Sequence, residues 1–259
     1  MEWIDPLHLG LAGLCIVTVA AFFAGFVDSV AGGGGLISLP AALLAGLPPH
    51  LALGTGKFMA SLGTTASFLT YARHKAILWK VAAIGSPFSF AGSALGSQAA
   101  LWLDNAVLGK IILCLLPVAA LLTFMPIREG HREKDSNPVA LWVLTPVICS
   151  AIGFYDGFFG PGTGSFFLLC LHFFLGLNLI AATGTAKAFN LASNLSSLGI
   201  FLVNAKIYYF VAIPMALANI AGNVCGSKMA LRGGPKVIKR MLLLSLLLLF
   251  ASLVWRYFA

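Results

Sequence analysis

Apolar positions run through this chain in long blocks that leave little room for polar ones. Residues 9–27, 81–103, 108–125, 208–231 and 241–255 hold few or no charges, and most of them approach the roughly 20 residues that a membrane-spanning helix needs. A membrane β-barrel is excluded, because its strands would alternate apolar and polar residues in short pieces. Two glycine-rich breaks interrupt the pattern: GFVDSVAGGGG at residues 25–35 and GFYDGFFGPGTG at residues 153–164. Each break carries one aspartate, Asp28 or Asp156, and is followed by a short apolar segment, residues 35–46 or 163–176. A lone lysine then appears inside the next apolar run, Lys57 at the end of GTGK and Lys187 at the end of GTAK.

The breaks belong to an internal repeat. Gly25, Phe26 and Asp28 match Gly153, Phe154 and Asp156 at an offset of 128 positions, and Gly54, Thr55 and Lys57 match Gly184, Thr185 and Lys187 at 130. Ala91, Gly92, Gly96 and Ser97 match Ala221, Gly222, Gly226 and Ser227. The single polar stretch, IREGHREKDSNP at residues 127–138, divides a first repeat (1–126) from a second (139–259). Broken, charged elements at corresponding points of two halves are the layout of secondary transporters, in which the breaks build the substrate site near the bilayer midplane.

Each half reads as four full spans plus one short segment, and charge decides whether the short segments cross. If they do, Arg73, Lys75, Lys80, Arg128, Arg132, Lys134, Lys228, Arg232, Lys236, Lys239 and Arg240 fall on one side, against Lys110, Lys206 and Arg256 on the other. If they do not, the split is nearly even. Cytoplasmic loops collect Lys and Arg. The expectation is therefore an all-α membrane protein with about ten membrane segments (eight full spans and two short broken ones) in two inverted five-segment repeats. Both termini would be extracytoplasmic and the 127–138 linker cytoplasmic.

Composition agrees. The chain is 59% hydrophobic and 9% charged, where a soluble domain would be about 25% charged. The net charge of +8 does not point to nucleic acid, because the basic residues sit in loops between spans. The N-terminal MEWID has no basic region, so the first apolar run reads as a retained helix. The five cysteines lie in apolar segments without C-x-x-C spacing and read as packing residues.

A helix can stop inside a membrane only where protein or water covers its freed backbone groups. The glycines Gly32, Gly33, Gly34 and Gly35, and the Gly160-Pro161-Gly162 turn, allow such a stop and permit close approach. The short helix after each break presents free N–H groups and a positive dipole end, which suits an anion. Ser38, Thr163, Gly164 and Ser165 lie close enough to contribute. Lys57, Ser61 and Thr64, and Lys187, Asn190 and Asn194, form polar stripes at helical spacing. Ionisable residues within a span indicate function, although snorkelling to an interface is the plainer alternative for the lysines. Asp28 and Asp156 have three readings: pairing with the lysines, capping the breaks, or carrying a coupling proton. The Gly92/Gly96 and Gly222/Gly226 spacings read as helix-packing faces. His172, inside the second short segment, is the one histidine with a plausible position for a ligand, and a packed role is the plainer reading. The tryptophans Trp3, Trp79, Trp102, Trp142 and Trp255 lie near expected span ends, as an interfacial belt would.

The motifs GFVDSVAGGGGLISLPAALL (25–44) and GFYDGFFGPGTGSF (153–166), with TAK-x-x-N-x-x-SN at residues 185–194, resemble the sulfite exporter TauE/SafE family, also called the toluene sulfonate uptake permease family. The resemblance covers nearly the whole chain. One departure is Gly56, at a position where relatives often carry Asn before the lysine. The resemblance implies a secondary transporter that exports small sulfur-containing or carboxylate anions, such as sulfite or organosulfonates, across a bacterial plasma membrane. The candidate substrate-binding residues are Gly32, Gly33, Gly34, Gly35, Ser38, Thr55, Lys57, Ser61, Gly160, Gly162, Thr163, Gly164, Ser165, Thr185, Lys187, Asn190 and Asn194, with Asp28 and Asp156 as coupling or ion-pair groups.

The expected partners are the bilayer and a small anion, with a proton as coupling ion; a homodimer stays open. No cofactor, metal or catalytic residue is expected, and the absence of a P-loop leaves ATP drive to another chain. The competing classes are a passive anion channel, a carrier of another solute using Asp28 and Asp156 as ion sites, an intramembrane enzyme built on Ser165, and a non-transporting membrane partner. No histidine at a matching point supports the enzyme, and buried lysines are not needed by a scaffold.

Overall fold

The computed structural model describes residues 10–123 and 139–258. The polar linker at 127–138 lies outside the described residues. Nine α-helices occur among the described residues: α1 (Gly10–Ala31), α2 (Gly35–Leu44), α3 (Pro49–Arg73), α4 (Trp79–Trp102), α5 (Asn105–Thr123), α6 (Thr145–Phe158), α7 (Thr163–Leu175), α8 (Leu179–Val203) and α9 (Tyr209–Phe258). A π-helical turn, Ala140–Leu144, leads into α6. The last range is interrupted at Gly234 (φ 64°, ψ −159°), which Pro235 follows, so it contains two helical pieces.

Among the described residues, three stretches are long and apolar enough to cross a membrane: Gly10–Ala31, Leu141–Phe158 and Tyr209–Ile238. Helices α3, α4 and α8 have 25, 24 and 25 residues. At a rise of about 1.5 Å per residue each exceeds the roughly 30 Å hydrocarbon core. Their hydropathy is lowered by the buried polar residues they carry, which face protein. Helix α4 begins at Trp79 and ends at Trp102, exposed by 58% and 79%, which places an aromatic anchor at each end of a bilayer-length helix. By contrast α2, with 10 residues, and α7, with 13, extend only about 15–20 Å by the same rise.

Each aspartate-bearing helix is clamped to a neighbour through glycine. A side chain at Gly92 or Gly96 of α4 would strike the backbone of Ser150, Phe154 and Phe158 in α6, and one at Gly222 or Gly226 of α9 the backbone of Phe22 and Phe26 in α1. These two faces therefore pack helices closely, as their spacing suggests.

Helices α3 and α8 lie side by side in opposite directions. Near the start of α3, Thr55 Oγ1 accepts from the Tyr208 N–H just after α8 (3.0 Å); near the start of α8, Thr185 Oγ1 accepts from the Leu78 N–H just after α3 (3.1 Å). Gly54 and Gly184 let the same turns close in, since a Cβ at either would meet the carbonyl of Lys206 or Ala76. Buried apolar side chains pack on both flanks of this central pair, Tyr71, Phe167 and Phe189 on one side and Phe159 and Phe201 on the other.

Candidate functional site

Helix α1 ends at Ala31, and Gly32 turns the chain with φ +80°. A residue with a side chain is strained in that region, and a Cβ there would also collide with the Gly164 and Ser165 backbone. In the second half, Gly160 (φ +94°) and Gly162 (φ +84°) turn the chain between α6 and α7. The two breaks thus touch, with Gly32 against Gly164, and the N-termini of α2 and α7 meet there. Ser165 Oγ fastens the contact by donating to the Ala31 carbonyl at 2.6 Å.

The lysines reach across the halves. Lys57 of α3 pairs with Asp156 at 2.9 Å, and Lys187 of α8 pairs with Asp28 at 2.8 Å. Lys57 also donates to Asn194 Oδ1 at 3.2 Å, and Lys187 to the Asp28 backbone carbonyl. The residues are 6% and 1% exposed, so both ammonium groups are held inside the protein and do not snorkel. Of the three readings of Asp28 and Asp156, pairing with the lysines describes their geometry.

The two pairs differ. Asp156 receives the Ser193 hydroxyl as well as Lys57, and its side chain is 5% exposed. Asp28 has Lys187 as its side-chain donor, and its side chain is 20% exposed.

A cavity of about 650 Å³, including its mouth, opens beside the break contact. Asp28, Gly32, Gly34, Gly35, Ser38, Lys57, Asp156, Gly160, Thr163, Gly164, Asn190 and Asn194 from the sequence reading line it. Gly33, Thr55, Ser61, Gly162, Ser165, Thr185 and Lys187 do not. Thr55 and Thr185 tether the turns described above. Ser61 Oγ bonds the Lys57 carbonyl within its own helix (2.7 Å), Ser165 fastens the breaks, Gly162 supplies the turn before α7, and Lys187 lies behind Asp28.

Asn190 is the notable lining residue. It is 4% exposed, and among the described residues nothing hydrogen-bonds its side-chain amide; only its backbone carbonyl is engaged, by Ser193. The amide has no protein partner and sits at the cavity wall, where water or a polar ligand can meet it. Gly34, Gly35 and Gly164 border the same space at the helix starts. None of the hydrogen bonds among described residues outside the helices engages their N–H groups.

Asn219 of α9 also lines the cavity and was missed by the sequence reading, as was the contact of Ser193 with Asp156. The signal for Asn219 was available as an amide inside an apolar run, repeated one turn later at Asn223. His172 hydrogen-bonds the Leu177 carbonyl (2.7 Å) at the end of α7 and does not line the cavity. Among the described residues no group of three or more His, Cys, Asp or Glu is placed to hold a metal.

A polytopic helical membrane protein with a polar, internally charged cavity at two helix breaks belongs to the class of membrane transporters. The particular family follows from sequence comparison: the sulfite exporter TauE/SafE family profile matches residues 17–253, and the chain belongs to that family. Similar proteins include "Probable membrane transporter protein ORF9" of Sinorhizobium sp, 38% identical over 89% of this chain and 88% of that protein. A "Probable membrane transporter protein" of Haemophilus influenzae is 34% identical over 96% and 97%. "Probable membrane transporter protein YfcA" of Escherichia coli K12 is 31% identical over 97% and 91%. No solved structure matches the chain.

Proposed function

We propose that this membrane transporter is a secondary carrier that exports a small oxyanion, sulfite or an organosulfonate or carboxylate, by ion-coupled alternating access. The observation that carries the reading is the Asn190 amide, without a protein partner at the wall of a cavity where two helix N-termini meet. Helix N-termini supply N–H donors and positive potential, and an amide NH2 adds a further donor. The lysines contribute less net charge than their number suggests, because each is neutralised by an aspartate.

The proposal includes ten membrane segments in two inverted repeats, residues 1–126 and 139–259, in a bacterial plasma membrane with both termini outside. The antiparallel course of α3 and α8 and the reciprocal pairs Lys57–Asp156 and Lys187–Asp28 support inversion. In inverted repeats, rocking one half against the other exchanges inward and outward openings around a fixed site.

Counterflow in proteoliposomes tests the carrier. Vesicles loaded with unlabelled sulfite, and others with isethionate, receive the labelled anion outside. A carrier accumulates label transiently above equilibrium. Label that only equilibrates indicates a channel, and no anion-dependent flux with any of the panel sinks the anion assignment.

A further inference from the structure

The site's charges sum to zero, and its two carboxylates are not equivalent. Asp28, Lys57, Asp156 and Lys187 form two ion pairs; the first three line the cavity with Lys187 behind Asp28, and among the described residues no further Lys, Arg, Asp or Glu lines it. An anion entering this cavity leaves one uncompensated negative charge in a low-dielectric surrounding, which is costly unless a positive charge accompanies it. We infer that the transporter binds its anion together with one proton, that the proton is taken by the Asp28 carboxylate, and that for a monovalent anion the loaded carrier is electroneutral. The inference rests on the anion-carrier reading and adds the identity and the sign of the coupling.

Geometry selects Asp28 over Asp156. Asp156 is gripped by Lys57 and the Ser193 hydroxyl, so a proton arriving there would have to displace a donor already in place. The position 130 residues before Ser193 is Gly63, which has no hydroxyl to give Asp28. Asp28 also presents a fifth of its side chain to its surroundings and lines the cavity, so a proton can arrive from the same water as the anion. Lys187 need not move when Asp28 is neutralised, because its ammonium also donates to the Asp28 backbone carbonyl, at the negative end of the α1 dipole.

The charged and titratable groups around Asp28 are Lys187 of α8, Lys57 of α3, Asp156 of α6, and Tyr71 of α3, whose hydroxyl donates to the neighbouring Ser29 carbonyl. Helices α2 and α9 meet the same cavity with Gly35, Ser38, Leu39 and Asn219, which carry no charge. Proton and anion attract, so each raises the affinity of the other by the same factor. That reciprocity favours co-transport over exchange. Export then proceeds when the outward anion gradient exceeds the inward proton gradient.

The test titrates the purified full chain with isethionate and methanesulfonate, whose charge is fixed across the pH range, and with sulfite. Calorimetry in two buffers of different ionisation enthalpy counts protons. The expected result is uptake of about one proton per sulfonate, with affinity falling about tenfold per pH unit once Asp28 is ionised in the free protein. Infrared difference spectra should gain a protonated-carboxyl band on anion binding. The band should shift in Asp28→Glu, stay in place in Asp156→Glu, and vanish in Asp28→Asn. Binding without proton uptake, proton release, or a band that follows Asp156 overturns the inference and leaves the carrier reading intact. No binding of any of the anions overturns both.

Discussion

Replacing Lys57 with methionine keeps most of the side-chain volume and removes the charge facing Asp156. The side chains of the pair are 7% and 5% exposed and meet at 2.9 Å, so the abandoned carboxylate cannot be rehydrated without opening the packing. Removing one partner of a buried ion pair costs about 3–5 kcal/mol. At roughly 2–4 °C per kcal/mol for a chain of this size, the melting point should fall by about 6–20 °C. The double variant Lys57→Met/Asp156→Asn removes both charges while leaving an oxygen to accept from Ser193. Its loss should shrink to about 1 kcal/mol, the scale of a few rearranged hydrogen bonds. Thermal unfolding of wild type, both single variants and the double in one detergent completes the cycle. Equal destabilisation of the single Lys57→Met and the double would refute the reasoning, since the penalty would then come from lost packing and not from a stranded charge. Lys187→Met provides an internal comparison: Asp28 is partly open, so the loss should be smaller than at Lys57.

Asn190→Leu should weaken isethionate or sulfite binding at least tenfold while leaving the melting point unchanged or higher, because the amide has no partner to lose; a large drop in stability would mean that it is structural. Gly32→Ala should abolish counterflow, since the new Cβ meets the Gly164 and Ser165 backbone and parts the two helix starts; full transport activity would contradict the contact. Thr55→Val and Thr185→Val should each cost about 1–3 kcal/mol in unfolding measurements by orphaning the Tyr208 or Leu78 amide, with transport per folded molecule retained. Gly56 lines the cavity, and a Cβ there has nothing within 4 Å; Gly56→Val should spare sulfite counterflow and exclude bulkier organosulfonates, and an unchanged substrate profile would remove Gly56 from the specificity surface.

The sequence carried the parts of this fold that local chemistry determines. The short segments expected at 35–46 and 163–176 are helices α2 (Gly35–Leu44) and α7 (Thr163–Leu175), because glycine runs stop helices and renewed apolar runs restart them. The polar stripes were legible because helical spacing places Lys57 with Thr64, and Asn190 with Asn194, on common faces. What the pattern could not supply was partner choice. Thr55 and Thr185 match across the repeat as well as the lysines do, yet they tether backbone turns, and only the antiparallel meeting of α3 and α8 distinguishes the two roles. Asn219 reaches the cavity from α9, more than 150 residues from the first break, and no local period links them.

The divergence between the halves is as informative as their likeness. Position 63 is glycine where its counterpart 193 is serine, and position 219 is asparagine where its counterpart 89 is serine. These changes meet in space: a side chain at Gly63 would occupy the place of the Asn219 amide, whose Cγ lies 2.9 Å from the Cβ such a residue would carry. Bulk removed from α3 has been replaced from α9, so packing density is kept, as close-packed interiors demand. The chemistry is not kept. The second half retains a hydroxyl on Asp156. The first half gives up that donor on Asp28, and in its place the second half's Asn219 supplies an amide that lines the cavity and donates to the Ala21 carbonyl of α1 (2.8 Å). The exchange also leaves a polar defect, since the buried Asn223 Oδ1 has no partner among the described residues, whereas its counterpart Ser93 bonds both Ser193 and Ser197. A defect that costs stability is retained where it serves function. Here it accompanies an Asp28 that keeps Lys187 as its side-chain donor while Asp156 holds both Lys57 and Ser193, the asymmetry on which the proposed proton uptake at Asp28 rests.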